Sequence, residues 1–379
     1  MFSFSDNAYP ISRFLTCSRY FPNIKFTNVK FSPHNDRFWM DYGEIVESLS
    51  LNSCVINKPE FLRILRSTPH LQSLEVIQCD DLYKSWTIAK KKVSQPKFQL
   101  PYLTELKIQG TSLMTTEIFE SMISLIPNIK SLTLDNCFHD STVKERVQFL
   151  NTLIRFVRSK AFYLTSLNLI QTPVDEIFLE QLSMVIDLKL KEFHLTFNGA
   201  ISPKSGMTVL LQKQINLQVL DLTDSKGLNN SCLIEICKNM PNLKKLILNK
   251  CWQINDGGLR EVNNLSKLEI LNINSCDRVT DYGIDCCLGL SLNGKKLLQI
   301  KELHLGVLPY MSVATTNQIS QHYNQLELLD LSGSSNSITD TVLQMIFKHQ
   351  TKLKHLNLDC CAKVSKSTRL CTILSIKYL

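Results

Sequence analysis

No stretch of this chain approaches the roughly 18 consecutive apolar residues of a membrane-crossing helix, and the opening MFSFSDNAYPISRF lacks a positive head followed by an apolar segment. The pattern therefore holds neither a membrane span nor a secretion signal, and the expectation is a soluble intracellular protein, cytoplasmic, nuclear or both. The metal-ligand spacings CxxC and HExxH do not occur, nor do the GxGxxG of dinucleotide sites and the GxSxG of hydrolase elbows. One string, GLSLNGKK from Gly289 to Lys296, matches G-x-x-x-x-G-K. It then places Lys296 where a phosphate loop needs Ser or Thr for magnesium, and it follows a predicted helix rather than a strand. A nucleotide site is excluded on both counts. The chain reads as a non-enzyme that needs no cofactor and no metal.

Charge narrows the partner class. Forty-two basic against 34 acidic residues leave +8 over 379 residues. An excess of that size points to nucleic acid or membrane only when it is clustered. The densest cluster, Lys90 to Lys92, has no aromatic platform beside it and reads as a solvated loop, so neither nucleic acid nor membrane is expected. Thirteen cysteines would suggest a disulfide framework in a secreted chain, but without a signal sequence free thiols are the expectation. Two sequons, at Asn229 and Asn264, are short enough to occur by chance.

What the chain has in abundance is a repeat. The pattern L-x-x-L-x-L-x-x-C/small starts at Val46, Leu71, Leu103, Ile129, Leu164, Leu190, Leu217, Leu243, Leu268, Ile300, Leu326 and Leu353, twelve units in all. Their spacings are 25, 32, 26, 35, 26, 27, 26, 25, 32, 26 and 27 residues, and a weaker copy, FPNIKFTNV, begins at Phe21. Each unit opens with an alternating strand pattern and runs into helical spacing such as DTVLQMIFKHQ. Thr172–Pro173 and Ser202–Pro203 look like a cap followed by a first-turn proline.

Strand, turn, helix and next strand make the strands parallel with right-handed crossovers. Strands stack roughly 4.8 Å apart and helices need about 10 Å, so the sheet bends with the strands inside. The expected fold is an α/β leucine-rich-repeat solenoid, a right-handed horseshoe with a concave parallel sheet and convex helices. The repeat domain spans 46–379, after an N-terminal segment and partial capping repeat at 1–45. A single unit buries too little to offset the ordering of its own chain, so stacking is compulsory.

The cysteine slot falls where the chain leaves the strand and turns inward. A small, apolar, weakly donating group fits between neighbouring turns there. Cys54, Cys79, Cys137, Cys251, Cys276 and Cys361 occupy it, replaced by Thr111, Thr172, Ser225 and Ser334 elsewhere. The same stacking could bring Cys251 beside Cys276, so spacing alone leaves a disulfide open.

These residues carry a resemblance. CWQINDGGL at Cys251 to Leu259, CDRVTDYGI at Cys276 to Ile284 and NSITDTV at Asn336 to Val342 resemble the cysteine-containing repeats of F-box/leucine-rich-repeat proteins, over residues 46–379. SRYFPNIKFTNVKF, then Phe38–Trp39 and IVESLSLNSC, is similar to the junction that follows the F-box in insect-type members. The resemblance implies the substrate-recognition subunit of an SCF-type E3 ubiquitin ligase. Its repeats would hold a target for ubiquitination and proteasomal degradation, and its F-box would dock on Skp1 and cullin. No F-box pattern is found in this chain. Either it lies upstream, which the apolar ending CTILSIKYL favours, or the chain is a repeat-only scaffold or inhibitor without ligase recruitment. A receptor ectodomain would call for a signal sequence and paired terminal cysteines.

Alternation puts the second, fourth, sixth and seventh positions after the first leucine on the concave face. The candidate protein-binding residues there are Glu75, Ile77, Glu105, Asp135, Ile170, Glu192, His194, Phe197, Val219, Asp221, Asp224, Ile247, Ile270, Glu302, Leu328 and Asp330. Acids, with Asp359, outnumber the strong bases Lys107, Lys245 and Lys250, so the expected partner is a basic, partly apolar protein segment. His194, His304 and His355 share this face but belong to separated units, too far apart for a catalytic group. The longer spacings place insertions near 82–99, with Trp86 and the lysine run, and near 139–160 and 281–299, read as loops or extended helices at the rim.

Overall fold

The computed structural model describes residues 2–5, 21–31, 36–88, 98–138, 141–197, 199, 205–290, 297–334 and 338–365. They form two compact units: the first is 1–174 with 185–190, the second 175–184 with 191–379. Unit one carries the strands β1 (Phe2–Ser5), β2 (Asn23–Thr27), β3 (Ser48–Asn52), β4 (Ser73–Ile77), β5 (Glu105–Thr111), β6 (Ser131–Cys137) and β7 (Ser166–Leu169). Its helices are α1 (Asp36–Tyr42), α2 (Lys58–Ser67), α3 (Asp80–Ile88), α4 (Thr116–Ile123) and α5 (Val143–Lys160). Unit two carries α6 (Glu176–Ser183), β8 (Glu192–Leu195), α7 (Gly206–Lys213), β9 (Val219–Asp221), α8 (Asn230–Asn239), β10 (Lys245–Ile247), α9 (Asp256–Leu259), β11 (Ile270–Asn272), α10 (Asp281–Leu288), β12 (Glu302–His304), α11 (Val313–His322), β13 (Leu328–Asp330), α12 (Asp340–His349) and β14 (His355–Asn357).

Within each unit every strand pairs in parallel with the next in sequence. Each unit is an α/β leucine-rich-repeat solenoid, as the repeat predicts. The weak copy at Phe21 is β2, in register with β3, and FSFS at Phe2–Ser5, which no sequence signal marked, is the strand β1. Phe38 and Trp39 of the FW pair pack edge-on against each other, 4.9 Å between ring centroids, and both reach Phe26 of β2.

Three linkages tie each repeat to its neighbour. The first is the buried leucine ladder, such as Leu74–Leu106–Leu132 in register across β4 to β6. The second is the slot residue, which donates to a main-chain carbonyl of the preceding repeat. Cys79 Sγ lies 3.5 Å from the Leu51 oxygen, Cys251 Sγ 3.2 Å from Leu222 and Cys276 Sγ 3.1 Å from Leu248. Thr172, Ser225 and Ser334 make the same bond to Leu134, Leu195 and Leu305. These cysteines are free thiols, Cys251 and Cys276 included. Burial pushes Cys137 and Cys276 up to about 12, so they stay protonated and serve as donors.

The third linkage explains the D-x-G of the repeat. In unit two the first residue of a helix accepts the amide of the next helix's cap, Asn230 from Asn255, Asp256 from Thr280 and Asp281 from Ser312, and Asp340 likewise accepts the Ser365 amide. Asp256 also takes the Thr280 hydroxyl at 2.7 Å. Two residues after Asp281 a side chain is forbidden, because a Cβ at Gly283 would lie 2.2 Å from Asp256 Oδ1. Gly258 meets Asn230 in the same way.

Two expected helix starts move. Thr172 is a slot residue, and its place in the cap role goes to Asp175, which accepts the Phe178 amide to open α6. The repeat offset already placed Thr172 in the slot, and that reading holds over the cap reading of Thr172–Pro173. Ser202–Pro203 lies outside the described residues, and α7 opens three residues later on a Ser205 cap. Asn229 of the first sequon caps α8. Of the insertions, 139–160 is largely the 18-residue α5, whose Phe149 stacks on Phe138 at 3.6 Å. The lysine run at 90–92 and most of the phosphate-loop-like string lie outside the described residues, while Gly289 ends α10 at φ +63°.

Gly283→Ala should destabilise unit two by about 1–3 kcal/mol, the range for overpacking a filled site, measured as a lowered urea midpoint. Cys276→Ala should cost about 1–3 kcal/mol by leaving the Leu248 carbonyl unpaired in the interior. Cys276→Ser should cost distinctly less, since Ser225 and Ser334 already make that bond.

Candidate functional site

Strand alternation buries every second side chain against the helices and leaves the others on an open face. On β4, Leu74 and Val76 are buried while Ser73, Glu75 and Ile77 are half-buried. The register lines these open positions up across neighbouring strands. In unit one a row runs Ser48, Ser73, Glu105, Ser131, Ser166 and the next runs Lys25, Ser50, Glu75, Lys107, Thr133, Asn168. In unit two the rows are Glu192, Val219, Lys245, Ile270, Glu302, Leu328, His355 and His194, Asp221, Ile247, Asn272, His304, Asp330, Asn357. The first face is hydroxyl-rich with two acids and two bases and with Ser50 fully buried in it, and the second has one row that alternates charged and apolar residues.

The candidate residues divide accordingly. Glu75, Ile77, Glu105, Asp135 and Ile170 stand half-buried or exposed on unit one. Glu192, His194, Val219, Asp224, Ile247, Ile270, Glu302 and Leu328 do so on unit two. Phe197 does not: it is 2% exposed and belongs to the core. The reason is in the backbone. The seventh position has a left-handed φ in every other repeat, as at Ser53, Gln78, Gly110, Asn136, Gln171, Asp224, Lys250, Ser275, Val307, Gly333 and Cys360, but not at Phe197. Without that reversal the side chain turns inward, and the Phe197 amide bonds the Ser225 hydroxyl at 2.9 Å.

Asp221 and Asp330 sit on the face but are only 8% and 7% exposed, and both are already engaged. Asp221 takes His194 Nδ1 at 3.4 Å and the Thr223 hydroxyl at 2.7 Å. Asp330 takes His304 Nδ1 at 3.6 Å, the Asn274 amide at 2.8 Å and the Ser332 amide at 3.0 Å. Burial works against ionisation in both, and these donors outweigh it, so both carboxyls stand below the usual range, Asp330 well below. The more exposed acids on unit two are Glu192, Asp224, Glu302 and Asp359, of which Glu302 lies 4.0 Å from His304 Nε2. Asn274, which also accepts the Gly306 amide, escaped the sequence reading because that reading weighed only charged and apolar types. Its sixth position in the repeat was the available signal.

Among the described residues no group of three or more His, Cys, Asp and Glu is placed to hold a metal, and no helix is long and apolar enough to cross a membrane.

No protein-family model matches the chain. Among solved structures, a chain in the crystal structure of the Rad7 and Elc1 complex in yeast is similar over 88% of this chain and 81% of that one, at 18% identity and a TM-score of 0.53. An internalin from Listeria monocytogenes is similar over 79% and 81%, at 16% identity and a TM-score of 0.39. The first likeness is one of fold.

A carboxyl held low in the folded state contributes stability that is present above the unfolded value, near 3.9 for Asp, and lost as pH falls through the folded one. Acid titration from about pH 5 downward should therefore lower the stability of unit two. Asp330→Asn should flatten that dependence while reducing stability at neutral pH. An unchanged acid slope in the variant would remove this role for Asp330.

Proposed function

We propose that this protein is the substrate-recognition subunit of an SCF-type E3 ubiquitin ligase. A target protein is held on the open strand face and passed to ubiquitination and proteasomal degradation, with no catalytic step of the chain's own. The observation that supports binding is the face itself. Backbone groups inside the sheet are paired, yet a contiguous field of side chains is left half-buried, with alternating charged and apolar members in unit two. Such a surface offers apolar anchors, Val219, Ile270 and Leu328, ringed by charges that set orientation and on-rate. The ligase assignment rests on the F-box/leucine-rich-repeat resemblance, with Skp1 and cullin reached through an F-box beyond this sequence, in the cytoplasm or nucleus.

Asp221 is too enclosed to serve as a clean probe of the face. Joint charge reversal of Glu192, Asp224 and Glu302 to Lys should weaken capture of a basic target at least about tenfold without lowering the melting temperature, since removal of exposed charges acts mainly on association. Unchanged capture would sink the acidic-face reading. Affinity capture of the full-length natural protein should retain Skp1 and a cullin. Target capture without Skp1 would make the protein a repeat scaffold or inhibitor instead.

A further inference from the structure

At the carboxyl ends of the strands in unit one lies a groove of about 400 Å³, lined by Asn52, Gln78, Gln109, Asn136, Gln171 and Asp135, with Ile77 and Ile170 at its sides. One carboxamide comes from each of five successive repeats. Asn52 ends β3, Gln109 lies two residues before the end of β5, and Gln78, Asn136 and Gln171 occupy the left-handed seventh position. Asp135 is the one charged residue among these lining residues, so the groove is close to neutral although the chain as a whole carries +8. It has no aromatic ring.

The amides are partly fixed. The Ser53 hydroxyl lies 3.2 Å from Asn52 Oδ1 and 3.3 Å from Gln78 Oε1, so its one proton serves either carbonyl oxygen and turns the NH2 groups away from it. Gly110 supports this placement, because a Cβ there would lie 2.9 Å from Gln78 Cγ. The carboxamides of Gln109, Asn136 and Gln171 have no hydrogen-bond partner among the described residues. The next register row on the open face is Ser50, Glu75, Lys107, Thr133 and Asn168, whose one acid and one base offset each other and leave the surroundings of the groove without net charge.

We infer that this groove binds an uncharged, extended segment of a partner protein by pairing its carboxamide ladder with the segment's main chain. The carboxamide is the one side-chain group that, like a peptide bond, presents both an N–H donor and a C=O acceptor. Spacing selects the conformation. Strands recur roughly every 4.8 Å, so every second strand recurs at about 9.6 Å. A polyproline II segment rises about 3.1 Å per residue with three residues per turn, or about 9.3 Å, and its main-chain groups have no internal partners. Asn52, Gln109 and Gln171, on alternate repeats, would each meet an equivalent peptide unit. The inference rests on the reading of this chain as a protein binder and adds a second, neutral site to the acidic face of unit two.

The test uses the full chain and a display library of random 12-residue peptides. Peptides recovered on the wild type should be poor in charge and should bind at least tenfold more weakly to the joint variant Asn52→Ala, Gln109→Ala, Gln171→Ala at an unchanged melting temperature. They should also weaken tenfold when every third main-chain nitrogen is methylated, and be indifferent to charge reversal at Glu192, Asp224 and Glu302. Recovery of no peptide, binding unaffected by the three substitutions, indifference to N-methylation, or capture of an oligosaccharide from a glycan array at this groove would each overturn the proposal. Target capture through the acidic face is a separate readout, so it survives if only the carboxamide site fails.

Discussion

The backbone of each repeat ends its strand with polar groups that face its neighbour, and those groups must be satisfied by that neighbour. This constraint organises the whole chain. An unpaired buried carbonyl costs a good part of what one repeat gains by burying its leucines. The slot residue answers it from the next repeat, as Cys276 does for Leu248 and Ser225 does for Leu195. On the helix side the cap amide of one repeat is answered by the first helical residue of the one before it, as Thr280 is by Asp256. Sulfur and hydroxyl are interchangeable at the slot because the requirement is a small donor, and the cysteine thiols gain nothing from reactivity when burial keeps them protonated.

Much of this was legible from residue spacing. The repeat starts, the strand-then-helix order, the parallel pairing and the inward slot all follow from periods of two and 3.6 read against a constant offset. What the periods do not carry is anything that depends on a residue in the adjacent repeat. Asp256 and Gly283 stand in a motif whose pattern was visible, yet its purpose emerges only when two helices are stacked and Gly283 is seen to lie against Asp256. Thr172 fitted both the slot and the cap by its local sequence, and the carbonyl of Leu134, in place to claim the hydroxyl, decides for the slot.

The open face was legible in outline and misjudged in detail. Counting positions assumes that each repeat reverses its backbone at the seventh residue. Phe197 shows what happens when one does not: a large apolar side chain joins the core instead of the surface. Counting charges likewise assumes that an acid on the face is available, whereas His194 and His304 already occupy Asp221 and Asp330. The amides were passed over because no charge or hydropathy draws the eye to them, although they recur once per repeat. Where function is concerned, the two units present different chemistry from one repeat plan, rich in hydroxyls and amides in one, with apolar anchors between charges in the other. A solenoid achieves this readily because its core and surface positions are set independently.

Native-state hydrogen exchange on Asp256→Ala tests the mutual dependence of the repeats most directly. The substitution removes one acceptor between two repeats, and the account predicts a loss of protection that spreads together through the amides of β10, β11 and β12. Exchange quickened only at Thr280, with those strands as protected as before, would mean that the repeats stand independently and would contradict it.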